Sequence, residues 1–259
     1  MKGLLLALAG VAFLCAQAPA DRAWSILQSG AADKSPETRM KAVRALGLIQ
    51  KNDKSRQMAE KALTDESPQV RTAAAEALGK MGAKESADKL VEIIRDPKED
   101  AQAVFAATAA LSDLGDPRAY GVYYAVLTGE RKTGESLISE QMKMLKDKRQ
   151  MAQMAFEQGI GFVPFAGLGY SAFKQVTKDD VSPVRAAAAA KLANDPDPKT
   201  AEALEKSASD PKWLVRAAVV NAIAKRGDPA LVKALVPLLD DKNDVVQYNS
   251  AAALIQLSK

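Results

Sequence analysis

The chain repeats a short helical pattern at a nearly fixed interval, and this repeat constrains the fold more than any other feature. Arg39, Ala42 and Leu46 stand at positions i, i+3 and i+7, and the same set recurs 32 residues later from Arg71. This spacing places the three side chains on one face of an α-helix. A fixed period of this length is typical of stacked helical repeats, in which each unit buries its apolar face against its neighbours.

Six copies of the pattern define six units. Two copies are degenerate, with Val104 and Gln247 at the position of the arginine. A Leu-rich segment precedes the pattern, so each unit is predicted to be a helical hairpin of roughly thirty residues. We therefore predict an all-α fold, a right-handed α-solenoid of about six hairpins. The four complete copies carry Arg39, Arg71, Arg185 and Arg216.

Glycine, proline and short polar residues mark the predicted turns. Gly115-Asp116-Pro117 and Gly227-Asp228-Pro229 each provide a helix-ending glycine, an N-cap aspartate and a proline at the first helical position. The second helix of three units is predicted to start in the same way, at Ser35-Pro36, Ser67-Pro68 and Asp210-Pro211.

This pattern resembles the HEAT repeats, and in particular the short HEAT-like repeats named after the phycobilisome lyases. In those repeats a loop Asp and a Val-Arg pair open the second helix of each unit. The matching residues here are Asp65 with Arg71, Asp180 with Arg185, and Asp210 with Arg216. The resemblance implies an armadillo-like fold. Two interpretations of the arginines stay open: an internal ladder of ion pairs that also includes Arg39, or a basic row for an acidic partner.

The first twenty residues differ from the rest and are predicted to be a signal peptide. Lys2 provides a positive start, residues 3–16 are apolar, and Ala18-Pro19-Ala20 is a small-residue cleavage pattern. We therefore expect export of a bacterial protein to the periplasm or the exterior. The alternative is a membrane anchor formed by an uncleaved N-terminus, although a membrane-spanning helix needs about twenty apolar residues.

An insertion interrupts the repeats. Leu111 and Leu192 are 81 residues apart, a distance that no multiple of the period matches. The predicted organisation is three units in 21–128, an insertion in 129–178, and three units in 179–259. The insertion is predicted to hold a long helix followed by an apolar, glycine-rich and aromatic segment, 159–173. Its candidate partner-binding residues are Met144, Met151, Phe156, Phe162, Phe165, Tyr170 and Phe173.

Three interpretations of segment 159–173 stay open. It could be an internal plug between two half-solenoids, an exposed patch for a protein partner, or a hairpin that enters a membrane surface. Large exposed apolar patches usually mark interaction sites.

The composition excludes several kinds of chemistry. The chain has no His, and its single Cys, Cys15, lies in the predicted signal peptide. The usual Cys/His zinc sites and His-dependent catalytic triads therefore cannot form. The formal net charge of +4 is small and evenly distributed, which argues against nucleic-acid binding. We predict no catalytic residue, no metal site and no cofactor.

The leading functional hypothesis is a non-enzymatic scaffold in the cell envelope. It would bind a protein partner through the concave face of the solenoid, through the insertion, or through both. One alternative is a peripheral membrane protein that attaches through 159–173. A second, which follows from the lyase resemblance, is an accessory subunit of an enzyme similar to the bilin lyases.

Overall fold

The computed structural model describes residues 18–127, 182–195 and 197–258. Within these ranges the regular secondary structure is helical, as the repeat pattern predicts. The predicted insertion, its candidate partner-binding residues and Asp180 lie outside the described residues.

The helices form hairpins in both described parts of the chain, and we number them in chain order. The N-terminal part contains α1 (Pro19–Ala31), α2 (Pro36–Ala45), α3 (Asp53–Ala62), α4 (Pro68–Lys80), α5 (Ala87–Arg95), α6 (Ala101–Asp113) and α7 (Arg118–Leu127). The C-terminal part contains α8 (Ser182–Leu192), α9 (Pro198–Ser207), α10 (Trp213–Arg226), α11 (Val232–Leu235) and α12 (Asp244–Leu257). Short 3-10 segments lie at Leu46–Leu48, Lys84–Ser86, Pro229–Leu231 and Val236–Asp240.

Local sequence explains most of the helix ends. Pro36 occupies the first turn of α2, and the Ser35 side chain accepts a hydrogen bond from the Thr38 amide at 3.4 Å. Asn243 caps α12 in the same manner. Gly227 ends α10 in a left-handed conformation, with φ of 73°, which glycine adopts without a steric penalty.

Two predicted helices differ from the structure. Helix α10 begins at Trp213 rather than at Pro211, because the Asp210 carboxylate accepts a hydrogen bond from the Lys212 amide at 2.9 Å and extends the loop. The Leu-rich segment that precedes the last copy of the pattern, 231–239, is expected to be the first helix of its hairpin; it is not one α-helix but a 3-10 segment, a short α-helix and a second 3-10 segment. Pro237 lies in the second of these 3-10 segments, and proline cannot donate the backbone hydrogen bond that a continuous α-helix requires.

The second helices of the units pack on one another in two runs. In the N-terminal part α2 packs on α4 and α4 on α6; in the C-terminal part α8 packs on α10 and α10 on α12. The repeated leucine position faces the core in most units: Leu46, Leu78, Leu111 and Leu254 are fully buried, whereas Leu192 is half-buried. Burying one such side chain stabilises the fold by about 1.5–3 kcal/mol.

The two runs join through the ends of the described chain. Helix α12, the last helix, packs against both α1 and α2. We call this contact the junction. The spatial order of the second helices is therefore α8, α10, α12, α2, α4, α6, which differs from their order in the chain.

Polar contacts between residues far apart in sequence also hold the junction. Arg22 forms an ion pair with Asp240, and the amide of Gln50 donates to Oε1 of Gln256 at 2.9 Å. At its centre, Gly30 of α1 lies so close to α12 that an added Cβ would stand 2.5 Å from the ring of Tyr248. The absence of a side chain at Gly30 therefore permits this close approach.

A buried carboxylate links the hairpins of the N-terminal part. Glu60 of α3 accepts hydrogen bonds from Arg56 at 2.6 Å, from the Ser86 hydroxyl at 2.7 Å and from Lys89 at 2.7 Å. Burial raises the pKa of Glu60, but the hydrogen bonds from Lys89, Ser86 and Arg56 outweigh it and hold that pKa at about 2. Three donors from two hairpins therefore require Glu60 in its ionised form.

We expect acid to destabilise the protein partly through Glu60. Its pKa is lower in the folded chain than the roughly 4.3 of a free glutamate, so its contribution is complete above about pH 5 and is lost as the pH falls toward 2. Urea unfolding at pH 7 and pH 3 should show a smaller acid-induced loss for Glu60→Gln than for the wild type. The control is Glu92→Gln, at an exposed position on α5, which should keep the wild-type loss. An equal loss in all three proteins would contradict the assignment.

Candidate interaction surface

The repeated arginines lie between adjacent units. Nε and Nη2 of Arg39 donate to the two carboxylate oxygens of Asp65, each at 2.8 Å. Arg216 makes the same paired contact with Asp241, at 2.6 and 2.8 Å. In each case the carboxylate belongs to the following unit. The other two members are Arg71, which contacts Glu99 at 2.9 Å, and Arg185, which pairs with Asp210.

Arginines of this ladder also bind the loop of their own unit. Nη1 of Arg39 donates to the carbonyl oxygens of Asp33 at 3.0 Å and Lys34 at 3.1 Å. Nη1 of Arg71 does the same with Asp65 and Glu66. A loop aspartate such as Asp65 therefore contributes its carbonyl to its own arginine and its carboxylate to the preceding one.

This geometry revises the grouping that the sequence suggested. Asp65 was grouped with Arg71 and Asp210 with Arg216, but their carboxylates pair with Arg39 and Arg185. Burial raises the pKa of Asp65, but hydrogen bonds from Arg39 and from the Ser67 amide outweigh it and lower the pKa overall. The ladder charges are thus satisfied between units.

The second helices of the units form one continuous side of the stack. They pack directly on one another, whereas contacts between successive first helices are sparse. The stack is therefore more closely packed along its second helices, and we call the surface that these helices form the inner face. Its polar side chains connect neighbouring units: Arg44 pairs with Glu76 at 3.0 Å, and Asn249 donates to Asn221 at 3.1 Å.

Exposed side chains continue this inner face along the stack. Gln69 is seven residues before Glu76 on α4, and Lys225 is four residues after Asn221 on α10. These spacings place each pair on one helix face. The inner face thus presents a mixture of amides and charges of both signs, in both parts of the described chain. The repeat pattern predicted a concave binding face but indicated none of its residues.

A small aromatic cluster lies at the α6 and α7 end of the stack. Phe105 is 50% exposed and Tyr120 70% exposed. The ring of Phe105 contacts that of Tyr123 edge-to-face, with centroids 6.3 Å apart. Phe105 was not predicted to be a surface residue, because a large residue directly after the ladder position does not indicate whether its side chain is buried or exposed. Tyr248 holds the same position in its own unit and is buried.

Within residues 18–127, 182–195 and 197–258, no three carboxylate or thiol side chains come together in an arrangement suited to a metal ion. No helix in the same ranges is both long enough and apolar enough to cross a membrane.

Comparison with known proteins identifies the repeats. A family profile described as HEAT repeats matches residues 24–112 and 171–255. No curated protein matches the chain. Among solved structures, human deoxyhypusine hydroxylase in complex with glycerol is 18% identical and aligns over 91% of this chain and 84% of that one, with a TM-score of 0.30. A designed armadillo repeat protein is 19% identical over 90% of this chain and 98% of that one, with a TM-score of 0.27.

Proposed function

Because the chain belongs to the HEAT-repeat family, we propose that it is a non-enzymatic scaffold that binds a protein partner along the inner face of its solenoid. Stacked helical repeats create extended concave surfaces of this kind, and a partner can contact several units at once.

The continuity of the inner face is the observation that supports this proposal. The junction places α12 beside α2, so the second helices of both chain parts contribute to one surface. The ladder arginines are engaged between units, whereas Gln69 and Lys225 on the inner face are exposed and accessible to a partner. Mixed polar composition is usual for interfaces that form and dissociate.

We also propose the cellular location of the protein and a second contact with the partner, both as expected from the sequence. The protein would act in the cell envelope after cleavage behind Ala20, and segment 129–178 would contact the same partner. Helix α1 begins at Pro19, so this cleavage removes its first two residues and leaves the rest of the helix in the mature chain.

Site-specific photocrosslinking in intact cells tests the inner face. A photoreactive phenylalanine analogue replaces Gln69 or Lys225, which are exposed on second helices in the two chain parts. We expect both positions to yield the same discrete adduct, recovered from the envelope fraction. The matched controls are Glu92 and Glu202, exposed on the first helices α5 and α9, where no such adduct should form.

Deletion of 130–178 separates the two proposed contacts. Loss of the adduct in a variant that still shows the wild-type helical circular dichroism would show that the segment contributes to binding. Retention would assign binding to the inner face alone. Adducts of equal yield at inner and outer positions, or recovery only from the cytoplasm, would contradict the proposal.

A further inference from the structure

The arginine ladder is interrupted at the junction. Gln247 of α12 occupies the ladder position, and the corresponding loop residue of the unit packed against α12 is Asp33. Asp33 precedes Arg39 by six residues, as Asp65 precedes Arg71. The acidic member of the ladder is therefore present at the junction, while the basic member is replaced by a shorter, uncharged amide.

Gln247 makes only one of the two kinds of contact that a ladder arginine makes. Its Nε2 donates to the carbonyl of Leu239 at 2.7 Å, which resembles the contact of an arginine with its own loop. The Asp33 carboxylate accepts a hydrogen bond from the Ser35 amide at 2.7 Å. Within the described part of the chain, no lysine or arginine forms an ion pair with Asp33, in contrast to the carboxylates at the other ladder positions.

An open surface depression lies between Gln247 and Asp33, which both line it. Its volume is about 260 Å³. Because about 10–15 Å³ of such volume is enough for one water molecule, the depression has room for a much larger group. The other walls are the ring of Tyr248 and one turn of α1 that includes Ser25 and Ser29. We call it the junction pocket.

The groups that line the junction pocket match one class of ligand. Four lining residues carry a side-chain oxygen that can accept a hydrogen bond, and Tyr248 adds an aromatic ring; the four are Asp33, Ser25, Ser29 and Gln247. A guanidinium is planar, carries five N–H donors and no acceptor, pairs with carboxylates in a fork and stacks on aromatic rings. A lysine ammonium would also pair with the carboxylate. It would interact less favourably with the aromatic ring, and as a compact charge it would contact fewer of the separated acceptors than a guanidinium does.

The nearby charges favour a cation. Burial raises the pKa of Tyr248, and Asp244 and Asp33 raise it further, while Lys41 opposes them. The Lys41 ammonium is already shared between Glu37 at 2.8 Å and Asp244 at 3.4 Å. Its charge is therefore divided between two carboxylates and does not neutralise Asp33.

We propose that the junction pocket binds a guanidinium group, which takes the place of the ladder arginine missing at position 247. The group could be carried by a small guanidino compound or by an arginine side chain of a partner protein. Both would place the same cation between Asp33 and Gln247. The bound group would also connect α12 to the α1–α2 loop, as the ladder arginines connect the other units.

Calorimetric titration of the full chain tests the pocket with two matched probes. N-acetyl-arginine amide carries the guanidinium, and N-acetyl-citrulline amide replaces it by a neutral urea of the same shape. We expect the arginine probe to bind at least about tenfold more tightly, because a charge-assisted pair is replaced by a neutral one. A pentapeptide with one central arginine distinguishes the sources: tighter binding than the single residue indicates a protein partner, and equal binding indicates a small compound.

Two variants locate the site. Gln247→Arg should restore the ladder, raise the unfolding temperature and abolish binding of the arginine probe. Asp33→Asn should abolish binding without filling the pocket. The control is Gln69→Arg, which adds the same charge at an exposed position and should retain binding. Equal affinity for the two probes, no binding to the wild type, or unchanged binding in both pocket variants would overturn the proposal.

Discussion

Replacing Gly30 by leucine is expected to lower the free energy of unfolding by about 3 kcal/mol. A Cβ at this position would lie 2.5 Å from Cε1 of Tyr248 and 2.8 Å from the Cβ of Ala42. The tyrosine ring can move only partly, because it is buried, and Ala42 Cβ is fixed to the backbone of α2. The larger side chain must therefore separate α1 from α12. Urea unfolding followed by circular dichroism measures the loss.

The control for this prediction is the same substitution at a helical glycine in open space. In the described part of the chain, no atom outside the adjacent residues and the local helix backbone lies within 4 Å of a Cβ added at Gly121 of α7. Gly121→Leu should therefore be neutral or stabilising by up to about 0.8 kcal/mol, since leucine has the higher helix propensity. Similar losses for the two variants would mean that the junction does not contribute to the stability of the fold.

Replacing Arg216 by methionine is expected to cost about 3 kcal/mol. Methionine keeps most of the apolar stem but leaves the Asp241 carboxylate without its cation, and Asp241 is only 6% exposed in its side chain. Burial raises the pKa of Asp241, but hydrogen bonds from Arg216 and the Asn243 amide reverse this and lower it. The carbonyl oxygens of Asp210 and Pro211 also lose their donor.

A double-mutant cycle separates the ion pair from the other contacts of Arg216. Arg216→Met, Asp241→Asn and the double variant should show a coupling of at least about 1 kcal/mol between the two side chains. The control is Arg118→Met, because Arg118 pairs with Asp116 and Asp88 at the surface and exposed pairs contribute little. A coupling free energy near zero would mean that Arg216 stabilises the fold through packing and not through its ion pair.

The local structure could be predicted from the sequence because its causes are local. Helix periodicity, the Ser35 cap and the glycine at position 227 each act within one turn. The Pro211 prediction was wrong for a related reason. The side-chain hydrogen bond of Asp210 to the Lys212 amide favours a longer loop, and the Pro motif gives no sign of this competition.

The spatial order of the units could not be predicted. Each unit presents the same small residues and leucines to both neighbours, so the sequence does not indicate which unit adjoins which. The close approach at Gly30 depends on Tyr248, more than two hundred residues away. The pairing of Asp65 was missed for the same reason: its spacing to Arg71 is conspicuous in the chain, whereas Arg39 reaches it only across the stack. Gln247 was recognised as the degenerate position of a repeat copy. The pocket that it lines could not be predicted, because that pocket also requires Asp33 from a distant part of the chain.

The junction also makes closure of the stack a non-local step in folding. Helices α1 and α12 are separated by more than two hundred residues, whereas successive second helices within each run are close together in the chain. Contacts between distant segments form more slowly than local ones, because a long loop must close before they stabilise the chain. We therefore expect the two runs of helices to form before the junction, and until it forms Gly30 lacks the cover that the ring of Tyr248 provides.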